Sequence, residues 1–231
     1  MSKRLIAATA FAALSALAAH AQPALRTFTD PQNRFTIQHP ADWPADVISR
    51  PTDPALGIAV GIADAECKVF AAPRADSAGK PADVVRRAYQ TAIGRAEWKK
   101  AADGFNVWND RGMVTEDGVD ATRFWPVQTA SFTTDSDKLG FAVLQARPGV
   151  DVWMFCSSYD NRDRKPIFDQ IFTSFVGTND AALQAEAEAA IAQRSAQEAA
   201  AVLLRQPPRR TRKRSADPLT TAACVSPPPR P

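Results

Sequence analysis

Segments with the two-residue alternation of a β-strand recur between residues 26 and 176 and constrain the fold more than any other feature. In Arg34–Gln38, for example, Phe35 and Ile37 fall on one face. Glu66–Ala71 repeats this pattern, and Val152–Cys156 is apolar on both faces, as in a central strand. Many short strands joined by turns predict an antiparallel sheet. Further strands are predicted at about 56–63, 112–115, 119–132 and 139–146, with Asp117-Gly118 as a hairpin turn.

Two helices are predicted beside these strands. Pro81 is suited to a first helical turn, and Val85, Tyr89 and Ile93 follow at helical spacing. The second helix, at about 163–176, presents an apolar row: Ile167, Phe168, Ile171, Phe172 and Phe175. Apolar helix faces need a sheet to cover them. The sequence therefore predicts an α+β fold, an α/β/α sandwich around an antiparallel sheet.

The N-terminus has the pattern of a secretory signal peptide. Lys3-Arg4 precedes a short apolar run, and the small-residue site Ala19-His20-Ala21 follows it. We predict cleavage between Ala21 and Gln22 and a periplasmic or secreted location. The alternative is an uncleaved anchor, although the run is shorter than the roughly 20 residues that a membrane helix needs.

Composition divides the remaining chain into three parts. Residues 22–176 form the predicted globular domain, with 18 basic and 20 acidic residues. Residues 177–206 are rich in Ala, Glu and Gln and predict an exposed helix. Residues 207–231 are Pro- and Arg-rich and predict a disordered tail. The excess positive charge of the chain after the signal therefore lies beyond the domain, since residues 177–231 hold 8 basic and 5 acidic residues.

Two motifs of the domain resemble those of PsbP-like domains. Residues 28–43 are similar to the opening motif of that family, in which an aromatic residue, an Asp and a loop precede a strand that ends in Tyr-Pro-x-x-Trp. His39 stands here in the position of the Tyr. Residues 168–175, which end in Ser174-Phe175, resemble the last helix of the family. The resemblance covers about residues 26–176.

The resemblance implies a binding or assembly protein rather than an enzyme. The family includes extrinsic proteins of the photosynthetic water-oxidising complex, a small Ran-GTPase-binding protein and bacterial envelope proteins. It implies the sandwich fold, and it implies function only loosely, because one fold serves many functions. We therefore expect an exported, non-enzymatic module that binds an envelope protein. A small-ligand carrier with a cleft beside the sheet is the alternative from another class.

The cysteines allow two interpretations. Cys67 and Cys156 both lie on predicted strands, and export would place them in an oxidising compartment. They would then form a disulfide, or they would remain two buried thiols, because the sequence does not say which strands are neighbours. Cys224 lies in the predicted tail, as an incidental thiol or the site of an intermolecular disulfide.

No motif for catalysis, metal binding or a cofactor occurs in the sequence. His39 would be the one histidine left after cleavage, too few for an ordinary His-based zinc site. We expect it to be a turn residue, and an enzyme that uses His39 with Asp42 is a further alternative. The carboxylate pairs are each placed at a predicted turn or helix start, where such residues make local hydrogen bonds: Glu116/Asp117, Asp135/Asp137 and Asp160/Asp163. We expect no cofactor.

Two surfaces are candidates for contact with a partner. Trp98 and Trp108 flank the predicted loop 99–104 and would form an exposed aromatic edge, unless they belong to the core. The predicted tail carries a basic patch that would contact anionic lipid or cell-wall polymers weakly, or stay solvated: Arg209, Arg210, Arg212, Lys213 and Arg214. No nucleic acid partner is expected for an exported chain.

Overall fold

The computed structural model describes residues 24–50, 52–107, 113–133, 139–160 and 162–205. Within them, ten strands and four helices are arranged as mixed α+β structure. The strands are β1 (Leu25–Thr29), β2 (Phe35–Pro40), β3 (Ala45–Val47), β4 (Leu56–Ile62), β5 (Ala65–Pro73), β6 (Met113–Asp120), β7 (Val127–Thr133), β8 (Leu139–Arg147), β9 (Val150–Ser158) and β10 (Val176–Gly177). The helices are α1 (Ala82–Ala88), α2 (Arg95–Gly104), α3 (Lys165–Thr173) and α4 (Asp180–Arg205). The predicted signal peptide and tail lie outside the described residues.

A seven-stranded sheet forms the centre of the fold, in the order β3-β4-β5-β9-β8-β7-β6. All its neighbouring strands are antiparallel, which confirms the predicted sheet. A smaller antiparallel sheet has the order β1-β2-β10. It forms because β10, directly after α3, returns to pair with β2 through Val176 and Gly177.

The central sheet is covered on both faces, as the predicted sandwich requires. On one face, Phe168 and Ile171 of α3 and Phe35 and Ile37 of β2 pack against alternate residues of β4, β5, β8 and β9. On the opposite face, Trp98 and Ala102 of α2 belong to a second buried cluster, with Phe70, Phe132, Leu144 and Phe155. The alternating apolar residues of the strands therefore contribute to two separate clusters, one on each face of the sheet.

Two local predictions are wrong. Asp117-Gly118 is not a turn, because β6 continues through it and Gly118 pairs with Thr129 of β7. The turn begins instead at Asp120, whose carboxylate accepts hydrogen bonds from the backbone N–H of Thr122 at 3.0 Å and from Arg123 Nε at 3.1 Å. An Asp that bonds ahead in the chain favours a turn where it stands, and a Pro at position 126 follows.

The predicted loop 99–104 is also wrong, because these residues belong to α2. Trp98 is fully buried rather than part of an exposed edge. Ala102 and Phe105 follow Trp98 at spacings of four and seven, which is the helical period for one face. Trp108 lies outside the described residues.

The first turns of α4 contribute to the folded unit. This compact unit runs to Ala190. Ala187 is buried and Leu183 packs with it against Trp125, whereas the sequence predicts an exposed helix throughout 177–206. Residues 191–205, the described part of a second unit, continue the helix, with Val202 exposed. None of the helices in the described ranges is both long and apolar enough to cross a membrane.

Candidate functional site

A cleft of about 420 Å³ lies at the end of the central sheet where β8 turns into β9. We call it the hairpin-end cleft. Its lining joins this hairpin to the start of β2 and to the segment between α3 and α4. The apolar side chains of the lining include Phe35, Ala71, Val150, Val152, Phe175 and Leu183. The polar ones include Asn33, Arg34, Arg147, Thr178, Asn179 and Asp180.

Arg147 is the buried charge of this cleft. It is the last residue of β8, and its side chain is 5% exposed. Its Nε donates to Asp180 Oδ1 at 2.6 Å, and its Nη2 donates to Asp180 Oδ2 at 2.8 Å. Its guanidinium lies 4.5 Å from the ring centroid of Phe175 and 5.3 Å from that of Trp125. Two aromatic faces and one carboxylate therefore hold the guanidinium in place.

Asp180 links the cleft to α4. Besides accepting from Arg147, its carboxylate accepts a hydrogen bond from the backbone N–H of Gly177 at 2.9 Å. It is also the first residue of α4, where a negative charge is favourable near the helix N-terminus. These bonds fix the start of α4 beside β8.

Arg34 forms a second ion pair on the cleft. Its Nε donates to Asp30 Oδ2 at 2.6 Å, its Nη2 donates to Asp30 Oδ1 at 3.1 Å, and its backbone N–H donates to Asp30 Oδ2 at 2.9 Å. Burial alone would raise the pKa of Asp30, but these bonds from Arg34 hold the pKa below its usual value. The carboxylate of Asp30 is therefore a buried anion that organises the loop before β2.

A third arginine pair lies on the other face of the hairpin and does not line the cleft. Arg74 Nη1 donates to Asp151 Oδ2 at 2.9 Å, and Arg74 Nε donates to Asp76 Oδ1 at 2.8 Å. Burial raises the pKa of Asp151 despite this pairing. The bonds to Asp76 and Asp151 raise the pKa of Arg74 against its own burial, so that it remains a cation. This network is structural, since it closes the β5 end onto the β8–β9 hairpin.

Two other clefts, each of about 360 Å³, occur among the described residues. One crosses β6, β7 and β8 and includes Glu116, Asp117, Lys165 and Asp169. The other lies beside the stacked rings of Phe70 and Phe105, whose centroids are 4.4 Å apart. Across the part of the chain that the structure describes, no group of three or more His, Cys, Asp or Glu side chains is arranged to hold a metal ion.

The predicted carboxylate pairs have separate local roles. Asp117 approaches Arg95 at 3.6 Å. Asp160 pairs with Arg164 at 2.6 Å, and the bond from Arg164 lowers the pKa of Asp160. Asp163 accepts a hydrogen bond from the backbone N–H of Lys165 at 2.9 Å, at the start of α3. Asp135 and Asp137 lie outside the described residues.

His39 is a strand residue rather than a turn residue. It belongs to β2 and is 4% exposed. Its Nδ1 lies 3.0 Å from the carbonyl oxygen of Pro40. Asp42 is exposed, and the structure shows no hydrogen bond between Asp42 and His39. The structure therefore does not assemble the pair on which the enzyme alternative depends.

Cys67 and Cys156 form a disulfide. They are directly opposite each other on β5 and β9, with their Cα atoms 4.0 Å apart. Both are buried in the cluster on the α3 side of the sheet. Ala21, Gln22, the basic patch at 209–214 and Cys224 all lie outside the described residues, so the predictions made for them stay predictions.

Sequence reasoning missed the residues that build the hairpin-end cleft. The one available signal was the phase of β8, because Arg147 falls on the same face as Val143, which is buried in the α3-side cluster. A charged residue at an inward position of a strand needs a buried partner. That partner, Asp180, is 33 residues further along the chain, where the sequence was interpreted as an exposed helix.

Comparisons with known proteins give a partial structural resemblance only. No protein-family model matches the sequence, and no curated protein matches it either. The solution structure of cyanobacterial PsbP (CyanoP) from Synechocystis is similar with a TM-score of 0.49 and 13% identity, over 71% of this chain and 98% of that one. A crystal structure from Bacteroides thetaiotaomicron gives a TM-score of 0.35 and 9% identity, over 67% of this chain and 49% of that one. At this level of similarity, neither structure indicates what the chain binds.

Proposed function

We propose that this protein is an exported, non-enzymatic binding module of the bacterial cell envelope and that it binds its partner in the hairpin-end cleft. The observation that carries the proposal is the cleft itself. It combines an apolar floor with two arginines that are held in place by carboxylates. A concave apolar site with a few fixed polar groups is the usual form of a ligand site.

The proposed export has two supports. The signal-peptide pattern at residues 1–21 directs the chain out of the cytoplasm. The disulfide between Cys67 and Cys156 is a bond that persists in oxidising compartments such as the periplasm. The basic patch at 209–214 would add weak contact with an anionic surface.

The first form of the proposal is a protein partner, tested by filling the cleft. Val150 is half-buried and lines the cleft, so Val150→Trp places a large side chain there. Val47→Trp is the matched control, because Val47 is an exposed strand residue outside the cleft. Crosslinked pull-downs from the native envelope fraction should recover one protein with the wild type and with Val47→Trp, and lose it with Val150→Trp. Equal recovery with Val150→Trp would refute the cleft as the binding site.

A small-ligand carrier is the second form, and the size of the cleft favours it. A volume of about 420 Å³ lies within the range of small-molecule sites, roughly 300–1,000 Å³. Native mass spectrometry of the protein purified from its own envelope should then show a bound mass with the wild type and Val47→Trp, and none with Val150→Trp. A bound mass that persists in Val150→Trp would place the ligand elsewhere.

A further inference from the structure

The two arginines of the hairpin-end cleft are held in the same way. In each, Nε and Nη2 donate to the two oxygens of one carboxylate, which is Asp30 for Arg34 and Asp180 for Arg147. This arrangement occupies one edge of each guanidinium. The remaining nitrogen, Nη1, takes no part in either pair.

Nη1 of Arg147 is a buried donor without an acceptor. It has no hydrogen-bond partner within the described ranges, and Arg147 as a whole is 4% exposed. A buried N–H group that gives up its water without gaining an acceptor costs free energy. Arg34 differs in exposure, since its side chain is 34% exposed and lines the same cleft. The guanidinium of Arg34 is therefore reachable from solvent, whereas Nη1 of Arg147 is buried without an acceptor.

The start of α4 adds a further positive element to this wall. Asn179, Asp180 and Leu183 all line the cleft, so the N-terminal end of a 26-residue helix faces it. Helix N-termini favour negative charge. Asp30 and Asp180 are the acidic groups of this region, and each is already committed to its own arginine. Because these carboxylates are already taken, the free Nη1 of the exposed Arg34 favours an acceptor with negative charge.

The floor of the cleft specifies the rest of the ligand. Phe35 and Phe175 stack with ring centroids 5.2 Å apart, and Val150 and Val152 line the cleft from the adjoining strand β9. Burying an apolar body on these side chains is favourable, whereas a second charge would lose its water there without compensation.

We propose that the hairpin-end cleft binds an apolar molecule that carries one carboxylate. The carboxylate accepts from the exposed guanidinium of Arg34 through its free Nη1, and the apolar body lies on the phenylalanine and valine floor. This inference rests on the carrier form of the proposed function and adds the chemical class of its ligand. Guanidinium suits this role because its planar donors match a carboxylate better than a single ammonium does.

Decanoate, decan-1-ol and decylamine are matched probes, because they share a chain length and differ only in the polar group. Titration calorimetry with the full chain, below the concentration at which each probe aggregates, should give an affinity for decanoate about tenfold or more above that for decan-1-ol, with decylamine the weakest. Equal affinities for decanoate and decan-1-ol would overturn the carboxylate specificity. Absence of decanoate binding would overturn the inference altogether.

Variants locate the binding and separate the carboxylate from the apolar body. Arg34→Lys keeps a cation beside Asp30 but removes the free Nη1, so it should reduce decanoate affinity about fivefold or more and change decan-1-ol affinity less. Val150→Trp should abolish binding of both probes, and Val47→Trp should preserve it. Circular dichroism must show native folding in each variant, and unchanged decanoate affinity in a folded Val150→Trp would refute the site.

The outcomes also separate this inference from the proposed function. If decanoate does not bind, but Val150→Trp loses a native ligand or partner, the cleft binds a molecule of another chemical class. Only the inference of a carboxylate ligand is then wrong. If Val150→Trp changes no interaction of any kind, both the inference and the cleft-based function are wrong.

Discussion

Asp30 is a single side chain that holds together the loop in front of β2. Its carboxylate accepts three hydrogen bonds from Arg34, two from the guanidinium and one from the backbone, and its side chain is fully buried. Charge-assisted hydrogen bonds to a buried carboxylate are stronger than exposed ion pairs, because water neither solvates nor screens the buried charge. Asp30 therefore fixes the side of the hairpin-end cleft that Arg34 forms.

We expect Asp30→Asn to lower the free energy of unfolding by about 1–3 kcal/mol at pH 7. Since the folded pKa of Asp30 is lowered, its stabilisation is complete above the unfolded carboxyl pKa of about 3.9. It is lost as the pH falls through the lower folded value. Urea unfolding of wild type and variant should thus show a difference that is largest near neutral pH and disappears in acid.

Asp169→Asn is the matched control for this experiment. Asp169 also forms an i,i+4 pair, with Lys165 at 2.6 Å, but both side chains are about half exposed. Exposed pairs contribute little to stability, so the control should unfold like the wild type at every pH. If Asp30→Asn behaved like Asp169→Asn, the carboxylate of Asp30 would have no role in organising the loop.

At the scale of the element, β7 and β8 pack so closely that one glycine is required. A Cβ on Gly140 would collide with the ring of Phe132 on the neighbouring strand, and that ring is buried. Gly140→Ala should lower the free energy of unfolding by about 1–3 kcal/mol, because the buried ring must move. The denaturation midpoint measures this directly.

Gly118→Ala is the same substitution where space is available. A Cβ there would lie 3.5 Å from Thr129 Oγ1, an ordinary contact, and alanine is preferred over glycine inside a strand. We expect Gly118→Ala to leave the stability unchanged or slightly raised. A loss as large as that of Gly140→Ala would show that the sheet tolerates alanine at neither position and that steric conflict with Phe132 is not the cause.

The disulfide joins two central strands that are 89 residues apart in sequence. Such a bond stabilises mainly by restricting the unfolded chain, so Cys67→Ala/Cys156→Ala should lose about 2–4 kcal/mol of unfolding free energy. Urea denaturation without reductant measures the loss. Cys224→Ser serves as the control and should change nothing in the monomer. An unchanged midpoint for the double variant would mean that the bond does not stabilise the isolated protein.

The sequence predicts these elements where one local pattern dominates. The alternation in β2 and β5 and the apolar row in α3 give the sandwich because each depends on residues a few positions apart. The turn predicted at Asp117-Gly118 is wrong because these residues continue β6 and pair with β7, and no local pattern in the sequence indicates that pairing. The cleft escaped prediction for the same reason, since Arg147 meets Asp180 only after β10 has returned to β2.

At the scale of the whole molecule, charge is distributed unevenly along the chain. The chain carries a formal net charge of +3, yet residues 22–176 hold more acidic than basic residues. The predicted attraction to anionic surfaces therefore depends on residues 207–231 and not on the folded domain. An attraction of this kind weakens as salt screens the charges.

Neutralising the basic patch tests this prediction on the chain without residues 1–21. Changing Arg209, Arg210, Arg212, Lys213 and Arg214 to Gln should abolish co-sedimentation with vesicles that contain anionic phosphatidylglycerol, because each basic residue near such a surface contributes about 1 kcal/mol. The wild type should sediment with these vesicles at low salt and be released at high salt. As a control, changing Arg50, Lys80, Arg95, Lys99 and Lys100, which are exposed on the folded domain, to Gln removes the same charge and should leave sedimentation intact. Equal binding by the tail variant would show that the folded domain binds the vesicles instead. Binding that salt does not reverse would show that the contact is apolar.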